Sequence, residues 1–473
     1  MNLVMDLDGS SDVIFYKIDS MDNNSLLPLA VLARERYGIP QDVFVRHCKR
    51  ILVSSRSKYL RATQSLRWLA PIYFRLYYNL LKLALRFLPK QRCGAVTADV
   101  SFELWSLDGF SNYQFYKKIH QLIKDKLSIS FAVNSISSKK LKDFSQSFIF
   151  FSRLRVNRKV VREVLKNEKY SLPKNKTGID SYFLWSLFLR QYVIYSTQCR
   201  HLDIKVFVTA GDNYLSPLRY WLMKKSGIRL VISLQNGFRT DCIDSGGAYY
   251  NETDVYEVFS LKQKTLLEKQ GCYARTWLTM GNILTLNNLD SLKYRVNGPI
   301  LVIGHDFSYP IGSYNQDDFN QILEKVRQFS IKHKKSVQYK ARTGSKNERF
   351  NFEKHLSSEW AIFDSSTNSY EAVASASVCI NYISTLGIEA VGMGKRVLTF
   401  NLYNTDFMVG SEDSLGTVLG NTYEEFERKL LYLLTSSDPQ IEDYFKQLRS
   451  ERMLLDPDVF KVLAQYCLEA VRG

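Results

Sequence analysis

The segment Ser375–Asn401, SASVCINYISTLGIEAVGMGKRVLTFN, leaves few folds open to this chain. Val378–Tyr382 is an apolar run of strand length. Ser384 and Thr385 follow where a helix N-cap belongs, and Glu389 falls inside the helix they open. Gly392 and Gly394 close that helix, and Val397–Phe400 begins another buried strand. Strand, helix, strand is the crossover unit of a parallel sheet. There a helix N-terminus lies just past the carboxyl end of a strand, where its free N–H groups and dipole favour an anion. Phosphate suits that geometry, and a nucleotide-activated donor is its natural carrier. Simple helix capping accounts for Ser384 and Thr385 equally well on this segment alone.

The 473 residues suffice for two or three domains with sizeable cores. A hydrophobic content of 45% places the chain among globular proteins. Lys and Arg outnumber Asp and Glu by 64 − 47 = +17, which points to an anionic partner: nucleic acid, an anionic membrane or a phosphorylated substrate. Seven scattered cysteines without CxxC spacing fit a reducing compartment and offer no zinc site. The six histidines show no paired metal spacing, so no metal is expected. Asp6 and Asp8 interrupt the apolar core that a secretory leader needs. No uncharged run reaches the roughly 18–20 apolar residues that span a bilayer.

Leu66–Leu88 comes nearest to a membrane element. Arg67, Arg75, Lys82, Arg86 and the following Lys90 fall within an arc of about 140° at helical spacing, opposite an aromatic and aliphatic face. Such a helix suits a membrane interface, and the net charge favours an anionic leaflet. A core helix whose arginines snorkel to solvent gives the same pattern.

Alternating strand and helix patterns predict two α/β domains. Residues 1–290 form the first, with a basic helical insertion over about 57–180, and 299–455 form the second. Residues 456–473 read as a helix that can cross back to the first domain, and Asn282–Gly298 reads as the hinge. Within the first domain Asp12–Ile18 reads as a strand, Ser181–Arg200 as a helix, and Val206–Ala210 and Leu230–Leu234 as adjacent strands.

Gly211, Asp212 and Asn213 follow the first of those two strands. Gln235, Asn236, Gly237, Phe238 and Arg239 follow the second. Open α/β sheets bind ligands at such carboxyl ends. Asp212 has the chemistry of a base or nucleophile. Asn236 can orient a hydroxyl or carbonyl, and Arg239 can clamp a carboxylate or phosphate. Asp241 and Asp244 lie close enough in sequence to compete with Asp212 for the carboxylate role. Both loops are also good turn formers. In the second domain, alternation places Lys340 and Arg342 of YKAR on one face, where they can neutralise donor phosphate. His305 of GHDF can meet a nucleotide or a leaving phosphate, with Asp306 capping the turn. Leu3–Ser10 matches the DxDG loop of haloacid-dehalogenase-type phosphatases, but the later motifs of that family are absent and the match reads as coincidence.

STLGIEAVGMGKRVLTF resembles the donor-side motif of bacterial surface-polysaccharide transferases of the GT-B class, including CDP-glycerol glycerophosphotransferases and capsule transferases that use CMP-activated sugars. The DN…LQNGFR pair resembles the IQNGIR-like element of surface carbohydrate biosynthesis proteins. The similarity spans roughly residues 200–410. It implies an α/β, GT-B-like fold of two Rossmann-like domains whose parallel sheets face an interdomain cleft. It further implies metal-independent glycosyl transfer from a nucleotide sugar, with Ser384, Thr385 and Glu389 facing the donor. QNGF departs from the EDGF-like element of retaining Kdo transferases, so an acidic role there would fall to Asp212 or Asp241. YKAR stands where several such families carry a His-Pro pair. The expected partners are a nucleotide sugar, a lipid-linked glycan acceptor of capsule or O-antigen type, and the anionic inner-membrane surface. No nucleic acid is expected, because the basic residues are spread among apolar stretches without a recognised motif. A cytoplasmic enzyme peripheral to the membrane follows from this reading. The alternatives are a CDP-polyol phosphotransferase, a basic nucleic-acid-binding protein and a non-catalytic assembly partner.

Overall fold

The computed structural model describes residues 26–54, 96–106, 110–135, 147–150, 157–168, 181–211, 215–239, 249–289, 297–305, 314–342, 346–403, 415–420 and 422–473, with isolated positions 23, 76, 79, 80, 83, 292 and 307. The strand expected at Asp12–Ile18, the DxDG match at Leu3–Ser10, most of Leu66–Leu88, and Asp212, Asn213, Asp241, Asp244 and Asp306 lie outside these residues.

Helices α1 (Leu27–Tyr37) and α2 (Gln41–Ser54) precede β1 (Val96–Ser106), α3 (Phe110–Ile123), β2 (Ile129–Ser135) and β3 (Ser147–Phe150). Then come α4 (Arg158–Asn167), α5 (Ser181–Arg200), β4 (Leu202–Thr209), α6 (Pro217–Lys225) and β5 (Leu230–Leu234). The first domain continues with β6 (Glu252–Val258), α7 (Leu261–Lys269), β7 (Tyr273–Thr279) and α8 (Ile283–Leu289). All seven strands pair in parallel in the order β3-β2-β1-β4-β5-β6-β7. Burial on both faces is what lets a strand such as β5, LVISL, read as a nearly continuous apolar run.

The second domain holds β8 (Ile300–Ile303), α9 (Gln316–His333), β9 (Val337–Lys340), α10 (Lys346–Asn351) with a π-helical turn at Phe352–Leu356, β10 (Ala361–Asp364) and α11 (Ser369–Ser375). It closes with β11 (Val378–Asn381), α12 (Thr385–Gly392), β12 (Arg396–Phe400), β13 (Thr417–Val418), α13 (Tyr423–Thr435) and α14 (Pro439–Arg452). Its parallel sheet runs β10-β9-β8-β11-β12-β13. Renumbered within each domain, both orders begin 3-2-1-4-5-6, the doubly wound Rossmann order. The fold is therefore α/β and GT-B-like, with two Rossmann-like domains.

The C-terminal helix expected over 456–473 is present as Val459–Arg472. Met453 to Asp458 separates α14 from α15 (Val459–Arg472), whose Val459, Phe460, Leu463 and Cys467 are buried in the core beside β1, α3 and β4. The crossing strand lies against the other interdomain connection. Leu454 N–H donates to the Phe259 carbonyl, Asp456 N–H to that of Met280, and Gly281 bridges Leu455. Gly281 has φ +105°, and a Cβ there would lie 1.7 Å from the Leu454 carbonyl oxygen, so only glycine admits this approach. No described helix is long and apolar enough to cross a membrane.

Candidate active site

Parallel strands place all their carboxyl ends on one edge, so strand order decides which loops become neighbours. In the second sheet the order reverses between β8 and β11, and a crevice opens there. Gly304 and His305 follow β8, while Asn381 to Thr385 lead from β11 into α12. Ser384 is the N-cap: its Oγ accepts from Leu386 N–H at 3.3 Å, and Asn381 Oδ1 accepts from Ser384 N–H at 3.1 Å. A Cβ on Gly387 would lie 2.2 Å from the Asn381 side chain, so the helix packs directly on the strand end that it caps.

In the first sheet the reversal falls between β1 and β4. The end of β4 is pinned from below. Thr209 Oγ1 donates to Glu103 Oε2 at 2.6 Å and accepts from Gly211 N–H at 2.7 Å. Ala210 N–H donates to the Tyr116 hydroxyl at 2.6 Å. Glu103 is itself held by the two terminal nitrogens of Arg219, at 2.7 and 3.3 Å, both residues being buried. The next residue after this frame is Asp212.

The loop after β5 is held by two buried glutamines. Gln235 Nε2 donates to the Gly237 carbonyl and to Gln263 Oε1, and its Oε1 accepts from Phe259 N–H. Gln263 brackets Arg239, accepting from its N–H at 2.7 Å and donating to its carbonyl at 2.8 Å. Asn236 Oδ1 accepts from Arg239 Nη2 at 2.8 Å. Asn236 and Arg239 therefore act as one fixed unit.

These loops meet across the two domains. Phe238 N–H donates to Thr385 Oγ1 at 3.3 Å. A Cβ on Gly237 would stand 3.9 Å from Thr385 Oγ1 and 3.6 Å from Arg239 Nη1. The sheets thus face one cleft, and the structure brings Asn236, Arg239, Ser384 and Thr385 together at it. His305, buried and edge-on to Phe307 with ring centroids 4.7 Å apart, follows the strand beside β11. Lys340 and Arg342 do not share a face, because the strand, and with it the alternation, ends at Lys340. The Lys340 ammonium is buried against the Ala341 carbonyl at 3.0 Å, whereas Arg342 is exposed and its N–H is held by Glu348 at 2.9 Å. Lys340 ends, and Arg342 follows, a strand two places from β11.

Glu389 points to the domain boundary. Its carboxylate accepts from Asn282 Nδ2 at 2.7 Å and bonds to Tyr370. Burial pushes its pKa up to about 7, with the Tyr370 and Asn282 hydrogen bonds pulling the other way. Asn282 Oδ1 also accepts from Leu284 and Thr285 N–H, so one side chain caps α8 and tethers α12. Burial raises the Cys199, Cys379 and Cys467 thiols to about 12, which leaves them unsuited to nucleophilic work. Among the described residues no group of His, Cys, Asp and Glu is arranged to hold a metal ion.

Gln263 and Asn282 carry much of this construction, and the sequence did not single them out. Gln263 falls in an ordinary helix and Asn282 in a polar hinge, and neither position shows its tertiary partner locally.

No protein-family model matches the chain. No curated protein matches it in sequence. Among solved structures it is similar to a putative UDP-N-acetylglucosamine 2-epimerase from Listeria monocytogenes, at 11% identity over 80% of this chain and 96% of that one, with a TM-score of 0.49. It is similar to the wall teichoic acid polymerase TagF at 10% identity over 88% of this chain and 98% of that one, TM-score 0.47. UDP-GlcNAc 2-epimerase from Neisseria meningitidis bound to UDP-GlcNAc matches at 11% identity over 78% of this chain and all of that one, TM-score 0.47.

Proposed function

We propose that the protein is a glycosyltransferase. It moves a sugar from a nucleotide-activated donor, with CMP as the favoured nucleotide, to a lipid-linked surface polysaccharide. The observation that carries this reading is the contact between the Gln235–Arg239 loop and the N-terminus of α12. It joins the carboxyl edges of two Rossmann-like sheets at one cleft. An anion at α12 would then lie within reach of groups from both domains.

In the proposed step the acceptor hydroxyl oxygen bonds to the anomeric carbon and its proton passes to Asp212 as base. The bond from that carbon to the donor phosphate oxygen breaks, and the nucleotide leaves with the electron pair. The α12 N-terminus with Ser384 and Thr385, together with His305, would stabilise the leaving phosphate without a metal ion. Asn236 and Arg239 would orient the acceptor side. Glu389 would serve the donor by fixing α12 against the hinge. Membrane docking is supported by Leu76, Leu80 and Leu83, helical positions about half exposed that fall within about 60° at helical spacing. The cytoplasmic, membrane-peripheral placement belongs to the same proposal.

Thermal-shift measurements against CMP, CDP, UDP, GDP and dTDP test this. A selective shift with CMP, lost in Ser384→Ala, is expected, and absence of any shift in folded protein would sink the reading. Product analysis separates phosphopolyol transfer, whose product gains phosphorus.

A further inference from the structure

A cavity of about 470 Å³ opens beside the cleft, between Phe238 and Arg239, the length of α7, and the last turn of α14. Its walls come from both domains, as do those of the cleft. Its charge is one-sided. Among the described lining residues Arg239, Lys262, Lys269 and Arg452 are cationic and only Glu451 is anionic, a balance of 4 − 1 = +3.

The cations are graded by depth. Arg239 and Arg452 are buried, Lys262 is half-buried and Lys269 is exposed. Buried guanidinium groups present fixed donors in a region of reduced dielectric, where an anion gains more than it would in water. The lysines outside them would steer an anionic chain inward. Leu261, 65% exposed, adds an apolar surface of the kind on which a sugar ring can rest. Arg239 also links the cavity to the cleft, since its guanidinium flanks Gly237 on the side where Thr385 Oγ1 approaches.

We infer that this cavity is a subsite for an anionic acceptor, a glycan segment bearing phosphate or carboxylate groups. That the ligand is an acceptor rests on the transferase reading; that the cavity takes an anionic chain does not. The lysines set its affinity, and Arg239 delivers the bound segment to the cleft. A volume of this size holds a few sugar units and excludes a folded partner.

Calorimetric titration of the full chain, without donor, tests the proposal. The probes are tripolyphosphate, trigalacturonate and neutral maltotriose. Binding of either anionic probe but not of maltotriose is expected, and which of the two binds tells phosphate from carboxylate. The double variant Lys262→Gln/Lys269→Gln should weaken that binding by about tenfold or more and flatten its salt dependence. Thr265→Trp, which keeps every charge and fills the cavity, should weaken it as well. Both variants should keep the nucleotide-induced thermal shift of the parent. Unchanged anion affinity in both would overturn the subsite. No nucleotide shift in any form, with anion binding intact, would instead remove the transferase reading and leave the anion site standing.

Discussion

Asn282 donates its side-chain amide to Glu389 at 2.7 Å, tying the hinge to the helix whose N-terminus opens on the cleft. The Glu389 carboxyl keeps its proton up to about pH 7 in the folded chain, against an ordinary value of 4.5. The folded form thus binds more protons than the unfolded form between those values, and stability falls as pH rises through that window. The full loss is on the order of 3 kcal/mol. Glu389→Gln keeps an oxygen for Asn282 and removes the charge, so it should flatten the dependence of the melting temperature on pH between about 4.5 and 7. Melting curves of both forms across that range check this, and an unchanged slope would show that other groups carry the effect.

The buried pair of Glu103 and Arg219 should be costly to break. Glu103→Ala leaves a guanidinium without its carboxylate in a core position and removes the acceptor of Thr209. Loss of one partner of such a pair costs about 3–5 kcal/mol. Denaturant unfolding should show a fall of that size. Replacing Glu103 and Arg219 together by apolar residues of similar volume should recover much of it.

The same frame makes a catalytic test clean. Thr209, Ala210 and Gly211 are fixed by side chains other than that of Asp212. Asp212→Asn should therefore abolish transfer while leaving the melting temperature and nucleotide binding near those of the parent. A variant that keeps its activity would exclude Asp212 as the essential carboxylate.

The second domain was the more legible half. Its strands are short apolar runs between turn residues, such as ILVI in β8 and VCIN in β11, and burial on both faces keeps that signal free of alternation. The first three strands of the other sheet were missed. β1 and β2 carry Ser101, Glu103 and Ser130 at buried positions, which breaks an apolar pattern. What permits Glu103 inside is Arg219, 116 residues further on, and no local window contains both. The site was legible in the same way. Ser384 and Thr385 announced themselves as an N-cap, and the two first-domain loops as strand ends. That Thr385 meets Phe238 depends on how two sheets face each other, which no periodicity encodes. Lys340 and Arg342 were paired by an alternation that stops where the strand stops.

Gly281 tests the hinge itself. It sits at φ +105°, a conformation that residues with a Cβ seldom adopt, and a Cβ there would meet the Leu454 carbonyl oxygen at 1.7 Å. Leu454 cannot retreat freely, because its N–H is bonded to Phe259 and the following turn to Met280. Gly281→Ala must therefore push the two interdomain crossings apart. Backbone strain of this kind costs about 1–3 kcal/mol before the clash is counted, so the variant should melt at a clearly lower temperature. The damage should be directional. α15 reaches the first domain through this crossing, and its apolar face is buried in that domain's core beside β1, α3 and β4. Hydrogen exchange should accordingly quicken in α15 and α8 before it quickens in β11 or β12 of the second sheet. Uniform quickening across both sheets would mean that the two domains unfold as one unit and that the hinge bears no separate load.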